Sequence, residues 1–273
     1  MCRVLEVSRS GFYRWLKMPD SKRKKDTMRL DVEIKAIFEE NKHRYGSPKI
    51  TDELQQRGRR VGHNRVAKRM RENGLRSKVR RKYKVTTNSK HNYPASPNLL
   101  NRKFEVDEPD KVWVSDITYV WTRTGWLYLT VFIDLYSRMV VGWAVSASLG
   151  SEMVLKAFRR ALWLRKPPKG LMIHSDRGIQ YACEAFREAL RVAQCVQSMS
   201  RKGNCWDNAV AESFFRAIKT ELLWDANIAD RTMAERIIFE YIEVFYNRQR
   251  HHATNGYRSP AEFEVKSVKR KVA

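Results

Sequence analysis

Asp116 interrupts an otherwise apolar run, Val112-Trp-Val-Ser-Asp-Ile-Thr-Tyr119. A carboxylate taken into a strand interior carries a large desolvation cost unless a cation or hydrogen bonds compensate it. Asp176 closes the next candidate strand in His174-Ser-Asp-Arg-Gly178, where a helix begins. Glu212 lies on a candidate helix whose apolar stripe is Ala211, Phe214, Phe215, Ile218 and Leu222, and it shares another face with Arg216 and Lys219 at i, i+4 and i+7. Taken singly, each acid has an ordinary role: a turn-capping Asp, a helix N-cap, a solvated charged face. Taken together, they form the oxygen-only donor set that magnesium prefers. Two such ions, roughly 3.5 to 4 Å apart, activate a water or 3′-hydroxyl on one side of a phosphodiester and stabilise the leaving oxygen on the other. Three carboxylates suffice for the pair if one bridges.

The elements that must bring these acids together are legible from periodicity. Val112–Trp121, Trp126–Asp134 and Arg138–Val145 are dense in β-branched and aromatic residues and separated by the turns Thr124-Gly125 and Tyr136-Ser137, which predicts an antiparallel meander. A helix over Ser151–Arg165, a strand over Gly170–Ser175, a helix over Gln180–Arg191 and a short strand near Cys195 follow. Helices are predicted again at about Asp207–Leu223 and Thr232–Tyr246. Strands first, then alternating helix and strand, give an α/β mixed sheet with flanking helices.

Ahead of it the sequence predicts a small all-α region. Ser8 caps a short helix ending at Leu16, read as the second helix of a helix-turn-helix whose first helix is cut short. Pro19 and the run Lys22–Lys25 break that pattern, and Leu30, Ile34, Ile37 and Phe38 resume it. Ser47 with Pro48 opens a helix ending near Gly58, and Asn64 caps another ending at Asn73-Gly74, a second helix-turn-helix over about 48–74. The expected division is 1–18 partial helix-turn-helix, 26–86 helical DNA-binding domain, 87–105 Asn/Ser/Pro-rich linker, 106–225 catalytic core, and 226–273 C-terminal helix and basic tail.

Lys and Arg outnumber Asp and Glu by 54 to 30, and residues 1–90 carry 27 basic against 10 acidic side chains. Such a bias implies a polyanionic partner, gripped mainly by the first third of the chain. Arg76, Lys78, Arg80, Arg81 and Lys82 are the densest part of that grip. No apolar run is long enough to span a membrane, and the N-terminus lacks the pattern of a secretory signal, so the expected location is the cytoplasm, on the nucleoid. The four cysteines have no metal-ligand spacing and are expected as reduced thiols. Asp134 reads either as a fourth acid near the metals or as a turn cap, and stays outside the ligand set. His174 reads as an orienting group or a hydrogen-bonded core histidine, and Trp206 as a base-stacking surface or a loop anchor.

The strings Trp113-Val-Ser-Asp-Ile-Thr-Tyr119, His174-Ser-Asp-Arg-Gly-Ile-Gln-Tyr181 and Ser198-Met-Ser-Arg-Lys-Gly-Asn-Cys-Trp-Asp-Asn-Ala-Val-Ala-Glu-Ser-Phe-Phe215 resemble those of the insertion-sequence-three family of bacterial transposases. Thirty-five residues separate Asp176 from Glu212, the spacing of the Asp, Asp, 35, Glu signature shared with retroviral integrases, and the likeness runs from Cys2-Arg-Val-Leu5 to Tyr257-Arg-Ser-Pro-Ala-Glu-Phe263. The resemblance implies a ribonuclease H-like core with Asp116, Asp176 and Glu212 as catalytic ligands of two Mg2+ ions, Mn2+ substituting. It implies that Lys219 contacts transposon-end DNA, to which Arg216 on the same helix face is expected to contribute locally, and that Asn247, Arg250 and His252 of Tyr246-Asn-Arg-Gln-Arg-His-His252 contact DNA or support the site. It also implies double-stranded DNA as partner (transposon ends and target), a homo-oligomer on that DNA, and an upstream reading-frame product fused to the chain. Ser115, Arg177 and Asn255 depart from the family's usual Thr, Gln and Leu. Two other readings fit the composition: a non-catalytic DNA-binding protein, which leaves Asp116 unexplained, and a ribonuclease H-like nuclease, which needs no helix-turn-helix.

Overall fold

The computed structural model describes residues 2–78 and 94–272. The chain divides into two compact units, Met1–Lys78 and Val79–Ala273. The first holds α1 (Arg9–Leu16), α2 (Lys22–Glu40), α3 (Ser47–Gln56) and α4 (His63–Glu72). Leu30, Ile34, Ile37, Ile50, Leu54, Val66 and Met70, spaced at helical intervals, are buried on α2, α3 and α4. The run Lys22–Lys25 does not break the helical pattern as expected. It forms the first turn of α2, because the Ser21 hydroxyl accepts from Lys24 N at 3.2 Å and supplies the cap. Gly46 and Gly62 hold the cap positions of α3 and α4 where Ser47 and Asn64 were expected. The Ser47 hydroxyl instead meets His63 Nε2 at 3.0 Å and ties the two helix starts together.

The second unit is built on a five-stranded sheet of order β3-β2-β1-β4-β5. Its strands are β1 (Val112–Thr122), β2 (Gly125–Asp134), β3 (Val140–Ser146), β4 (Met172–Ser175) and β5 (Val196–Met199). The first three form the expected antiparallel meander, while β4 and β5 run parallel to β1. Parallel neighbours need crossovers, and α5 (Ser151–Arg165), α6 (Ile179–Ala182) and α7 (Glu184–Val192) supply them. Gly142 sits where α5 crosses β3, and a Cβ there would lie 2.5 Å from the Ala157 carbonyl oxygen, so only glycine allows that approach. Trp113, Phe132, Phe158 and Phe186 are buried between sheet and helices. Their burial contributes about 1.5 to 3 kcal/mol per side chain.

The single helix expected over 180–191 is broken at Cys183, whose backbone is extended. Residues five apart on one helix point about 140° apart, and the break lets Tyr181 and Phe186 meet edge-on at 5.6 Å. Within residues 94–105, expected as part of a linker, the stretch 96–100 lies along β5. Leu99 N donates to Ser198 Oγ at 3.0 Å and Met199 N to the Pro97 carbonyl at 3.3 Å. A strap of this kind covers the edge strand's unpaired backbone groups. Beyond the core follow α8 (Ala209–Ile218), its wider-wound continuation to Leu223, α9 (Arg231–Phe239) with a similar continuation to Tyr246, and α10 (Pro260–Val272). No individual reading of the sequence picked out α10. Its start is a capping box, with Ser259 N donating to Glu262 Oε2 at 2.9 Å and proline in the first turn.

Asp134 caps the β2–β3 turn and is fully buried. The Ser137 hydroxyl lies 3.1 Å from Asp134 Oδ2 and 2.7 Å from Glu264 Oε1. One hydroxyl proton serves only one of the two carboxylates at a time, which leaves the other short of a donor. Burial, reinforced by the charges of Asp110 and Glu264, pushes Asp134 up to about 6. The folded state therefore holds a proton that the unfolded chain releases above about pH 4, and stability falls as pH rises from about 4 to 6. Asp134→Asn is expected to gain about 1 kcal/mol relative to the parent chain between pH 5 and pH 8. Urea unfolding at both values checks this; an offset independent of pH would contradict it.

Candidate active site

Asp116 is half-buried on β1, the central strand, and its Oδ1 accepts from Ile117 N at 2.8 Å. Asp176 follows β4 directly, and its Oδ1 accepts from Gly178 N at 2.9 Å in a tight turn into α6. The parallel register pairs Val112 with Met172 and Val114 with His174, and carrying it on by two residues sets Asp176 beside Asp116. Burial and then the neighbouring Asp176 charge, with Glu212 adding to them, hold the Asp116 carboxyl well above the usual range. Glu212 is half-buried on α8 and raised by burial, with Arg216 opposing. Lys219, at the start of the α8 continuation, is lowered by burial, while the Asp116 charge favours its ammonium form.

Neighbouring side chains fix this arrangement. The buried Tyr181 hydroxyl meets Ser115 Oγ at 2.8 Å and Thr130 Oγ1 at 3.4 Å, directly beneath Asp116. Burial and the charges of Asp116 and Asp176 keep that phenol neutral. Asn208 Nδ2 donates to the Ser115 carbonyl at 3.0 Å and pins the start of α8 to β1, while the buried Asn208 Oδ1 has no partner among the described residues. Asp207, fully buried, accepts from Arg201 N and from the side chains of Arg201, Arg102 and Asn98, which closes the loop 200–206. The Arg201 guanidinium, foremost among these partners, holds the Asp207 carboxyl below the ordinary range. His174 is a core histidine, bonded to Ser198 at 2.9 Å and Ser200 at 3.2 Å, and burial pushes it down to about 4. Trp206 is 69 % exposed and does not anchor the loop.

The structure thus brings Asp116, Asp176, Glu212 and Lys219 together, with Arg216 exposed at the rim. It places Asn247 and Arg250 elsewhere. Asn247 is buried, its side-chain amide exchanging two 3.0 Å hydrogen bonds with the backbone of Val140 at the start of β3. Arg250 grips Glu221 with contacts of 2.7 to 3.1 Å. Glu221 also accepts from the Tyr241 hydroxyl at 2.8 Å. Both were expected to contact DNA or to support the site; the Asn247 amide and the Arg250 contacts with Glu221 are committed to the fold. Arg76 is exposed and Lys78 half-buried in the first unit, whereas Arg80, Arg81 and Lys82 lie outside the described residues. Asn208 and Tyr181 stand inside the strings that carried the family resemblance, yet an amide and a phenol give no charge signal, and only the fold shows what they touch.

The donor set fits a hard divalent cation. It is oxygen only, and two of its carboxylates crowd each other in a site where burial disfavours their charge. Among the described residues no group of three His, Cys, Asp or Glu side chains is placed closely enough to hold a metal ion by itself.

A mixed sheet carrying acids on adjacent parallel strands, with a third acid on a helix pinned across them, defines an integrase-type core. The comparisons agree. Residues 106–205 match the Integrase core domain family, residues 212–268 a second Integrase core domain family, and residues 25–83 an HTH-like domain. An intasome structure of simian T-cell lymphotropic virus in complex with PP2A regulatory subunit B56 gamma shares the fold at a TM-score of 0.51 and 14 % identity, over 81 % of this chain and 70 % of that one. The transposase InsF for insertion sequence IS3A of Escherichia coli (strain K12) is 40 % identical over 98 % of this chain and 94 % of its own. The insertion element IS600 uncharacterized 31 kDa protein of Shigella sonnei is 44 % identical over 97 % and 98 %. The chain belongs to the IS3 family of transposases.

Asp207→Ala removes the acceptor that closes loop 200–206 and leaves Arg201 unheld. Local opening should become easier by one to three kcal/mol, on the order of tenfold or more in the open population. Limited trypsin digestion should therefore cut at Arg201 or Lys202 about tenfold faster than in the parent. An unchanged nicking rate would show that the loop is held by other contacts.

Proposed function

We propose that this transposase cuts and joins DNA strands with Asp116, Asp176 and Glu212 as the ligands of two magnesium ions, manganese substituting. The observation that carries the reading is the parallel β1–β4 register, which sets two half-buried carboxylates side by side with α8 closing over them. Bound metal would supply the activated hydroxyl and a counter-charge for the leaving oxygen. Asp116 holds the ligand geometry from within β1, and Asp176 from the turn directly after β4. Tyr181, kept neutral, supports β1 from below without adding charge. Asn208 keeps α8, and so Glu212, in reach. Lys219, close enough for Asp116 to act on its charge, is the cation that contacts the phosphate of a transposon end, with Arg216 beside it. A nuclease with the same core would cut without rejoining; the near full-length relationship to a transposase favours joining as well.

Asp116→Asn, Asp176→Asn and Glu212→Gln should each lower strand cleavage by at least about a thousandfold while leaving duplex binding within about twofold, because each swap keeps shape and removes charge. Cleavage should require Mg2+ or Mn2+ and stop in EDTA. A supercoiled-plasmid assay that scores nicked and joined products reads both steps. Normal cleavage by any one variant would remove that residue from the site.

The first unit grips DNA, and a partner provides part of its end recognition. In α1 no residue is buried, and Tyr13, Trp15 and Leu16 are 60, 69 and 58 % exposed. A helical segment contributed by an upstream reading-frame product is the proposed cover for that apolar surface, and pairing of two transposon ends makes a homo-oligomer the proposed working form. Competition binding of this chain and of the fusion, against terminal-repeat and scrambled duplexes, should show at least tenfold better discrimination by the fusion. Equal discrimination would assign sequence reading to residues 48–84 of this chain.

A further inference from the structure

Asp207, buried just ahead of α8, gathers two arginines that lie far apart in the chain. Its Oδ1 accepts from Arg201 Nη2 and from Arg102 Nε, both at 2.8 Å, so those two nitrogens stand within twice that distance of each other. Its Oδ2 accepts from Arg201 N and Nε at 2.9 Å and from Asn98 Nδ2 at 2.8 Å. A carboxylate offers about four acceptor positions. Arg201 and Asn98 fill them with four donors, so Arg102 is not needed to satisfy Asp207. It brings a second positive charge against Arg201 instead, and among the described residues no other acid pairs with either guanidinium.

The backbone is bent to make this contact. Asn101 and Arg102 both take left-handed backbone, with φ of 44° and 61°. For a side chain as large as arginine that conformation is sterically disfavoured, and it persists only where surrounding contacts impose it. Asn98 imposes it here, because its Oδ1 accepts from Asn101 N at 2.8 Å while its Nδ2 holds Asp207. The donors left over are accessible. Arg201 commits two side-chain N–H groups to Asp207, and Arg102 commits one to Asp207 and one to Asn204 Oδ1 at 2.9 Å. Each rigid guanidinium plane carries further donors, Nη1 among them. Asp207 is fully buried while the side chains of Arg102 and Arg201 are 43 and 49 % exposed, so the uncommitted edge of each plane lies on the solvent side of that carboxylate.

This spot borders the catalytic acids. Ser200, next to Arg201, donates its N–H to the Ser175 carbonyl at 2.9 Å, one residue before Asp176. Arg177 Nε donates to the Ser200 carbonyl at 2.8 Å, which sets a third guanidinium beside the same loop. On the other side, Asp207 is followed by Asn208, which pins the helix of Glu212 to β1.

We propose that Arg102 and Arg201, set side by side by Asp207, clamp one phosphate of a DNA strand next to the catalytic acids. The inference rests on DNA as the substrate and reaches beyond the carboxylates and Lys219. Two guanidinium planes at a fixed separation suit the several oxygens of one phosphodiester. The phosphate supplies the counter-charge that Asp207 alone leaves short, and no buried ion pair has to open to admit it.

The test is fluorescence anisotropy of the full chain on a labelled DNA duplex in EDTA, from about 50 to 200 mM salt. Arg102→Gln and Arg201→Gln should each weaken binding about fivefold. The double Gln variant should lower the slope of log affinity against log salt by about 0.9, the value for one phosphate. The double variant with Lys at both positions keeps both charges and should keep the parent slope. Unchanged affinity and slope in the Gln variants overturns the proposal. So does a double Lys variant that behaves like the double Gln variant, because the effect then comes from a loosened loop. A slope loss near twice the single-phosphate value places the arginines on separate phosphates and overturns the clamp. Should Arg201→Gln melt early, unchanged affinity in Arg102→Gln overturns it instead, since Asp207 keeps its other donors there. EDTA removes metal from this assay, so its failure leaves the cleavage reading standing, and loss of the carboxylate assignment leaves this one standing.

Discussion

Two like charges held side by side in a part-buried site repel each other, and everything around Asp116 and Asp176 serves to keep them there. The β1–β4 pairing, which ends two residues short of them, brings the carboxylates alongside through parallel backbone hydrogen bonds, and the turn bond from Gly178 N holds Asp176 in place. Tyr181 beneath them contributes a neutral hydroxyl to Ser115 and Thr130, which stiffens β1 without adding charge. Asn208 ties the helix of the third acid to the backbone of Ser115, one residue from Asp116. The result is a site strained electrostatically when bare and relieved by a divalent cation, the usual economy of a preorganised metal centre.

The acids and their elements were legible because each breaks a local rule. A carboxylate within the apolar β1 pattern, or ending the apolar strand before Gly178, conflicts with its surroundings unless a site explains it. The meander, α5 and the helix of Glu212 followed from periodicity alone. What escaped was set by tertiary contact. The break at Cys183 depends on Tyr181 reaching under β1, which no local pattern encodes. The strap at 94–105 is polar and aperiodic, and its order comes from the unpaired edge of β5. The Ser259-to-Glu262 capping box was present in the sequence and is a signal that local reading could have used.

Asn247 and Arg250 show how a polar motif misleads. A segment with Asn, Arg, Gln and His in succession reads as a surface that meets a ligand, yet a buried backbone edge and a buried carboxylate need polar partners just as much. The Asn247 amide replaces a missing strand neighbour for Val140. Glu221, buried on the α8 continuation, requires Arg250 and Tyr241 together, so the pair locks the C-terminal segment onto the helix that carries Glu212.

The same reasoning separates the arginines that can meet DNA from those that cannot. Breaking a buried pair such as Arg250–Glu221 costs about 3 to 5 kcal/mol, because it leaves a desolvated charge behind, and no phosphate contact at an exposed rim returns that much. In the first unit Arg59 and Arg65 pair with Asp26, and Arg69 with Asp31, each with side chains at least a fifth exposed. Exposed pairs of this kind are weak and screened. A phosphate oxygen can take the place of Asp26 on Arg65 while the released carboxylate returns to water, with little net cost. The net charge of +24 therefore overstates the cations standing ready, and it understates the ones that become available when a polyanion arrives. The acidic residues of α2 hold α4 in position without DNA and yield their arginines to it, so the basic unit can be well folded in the absence of its partner and still grip it electrostatically.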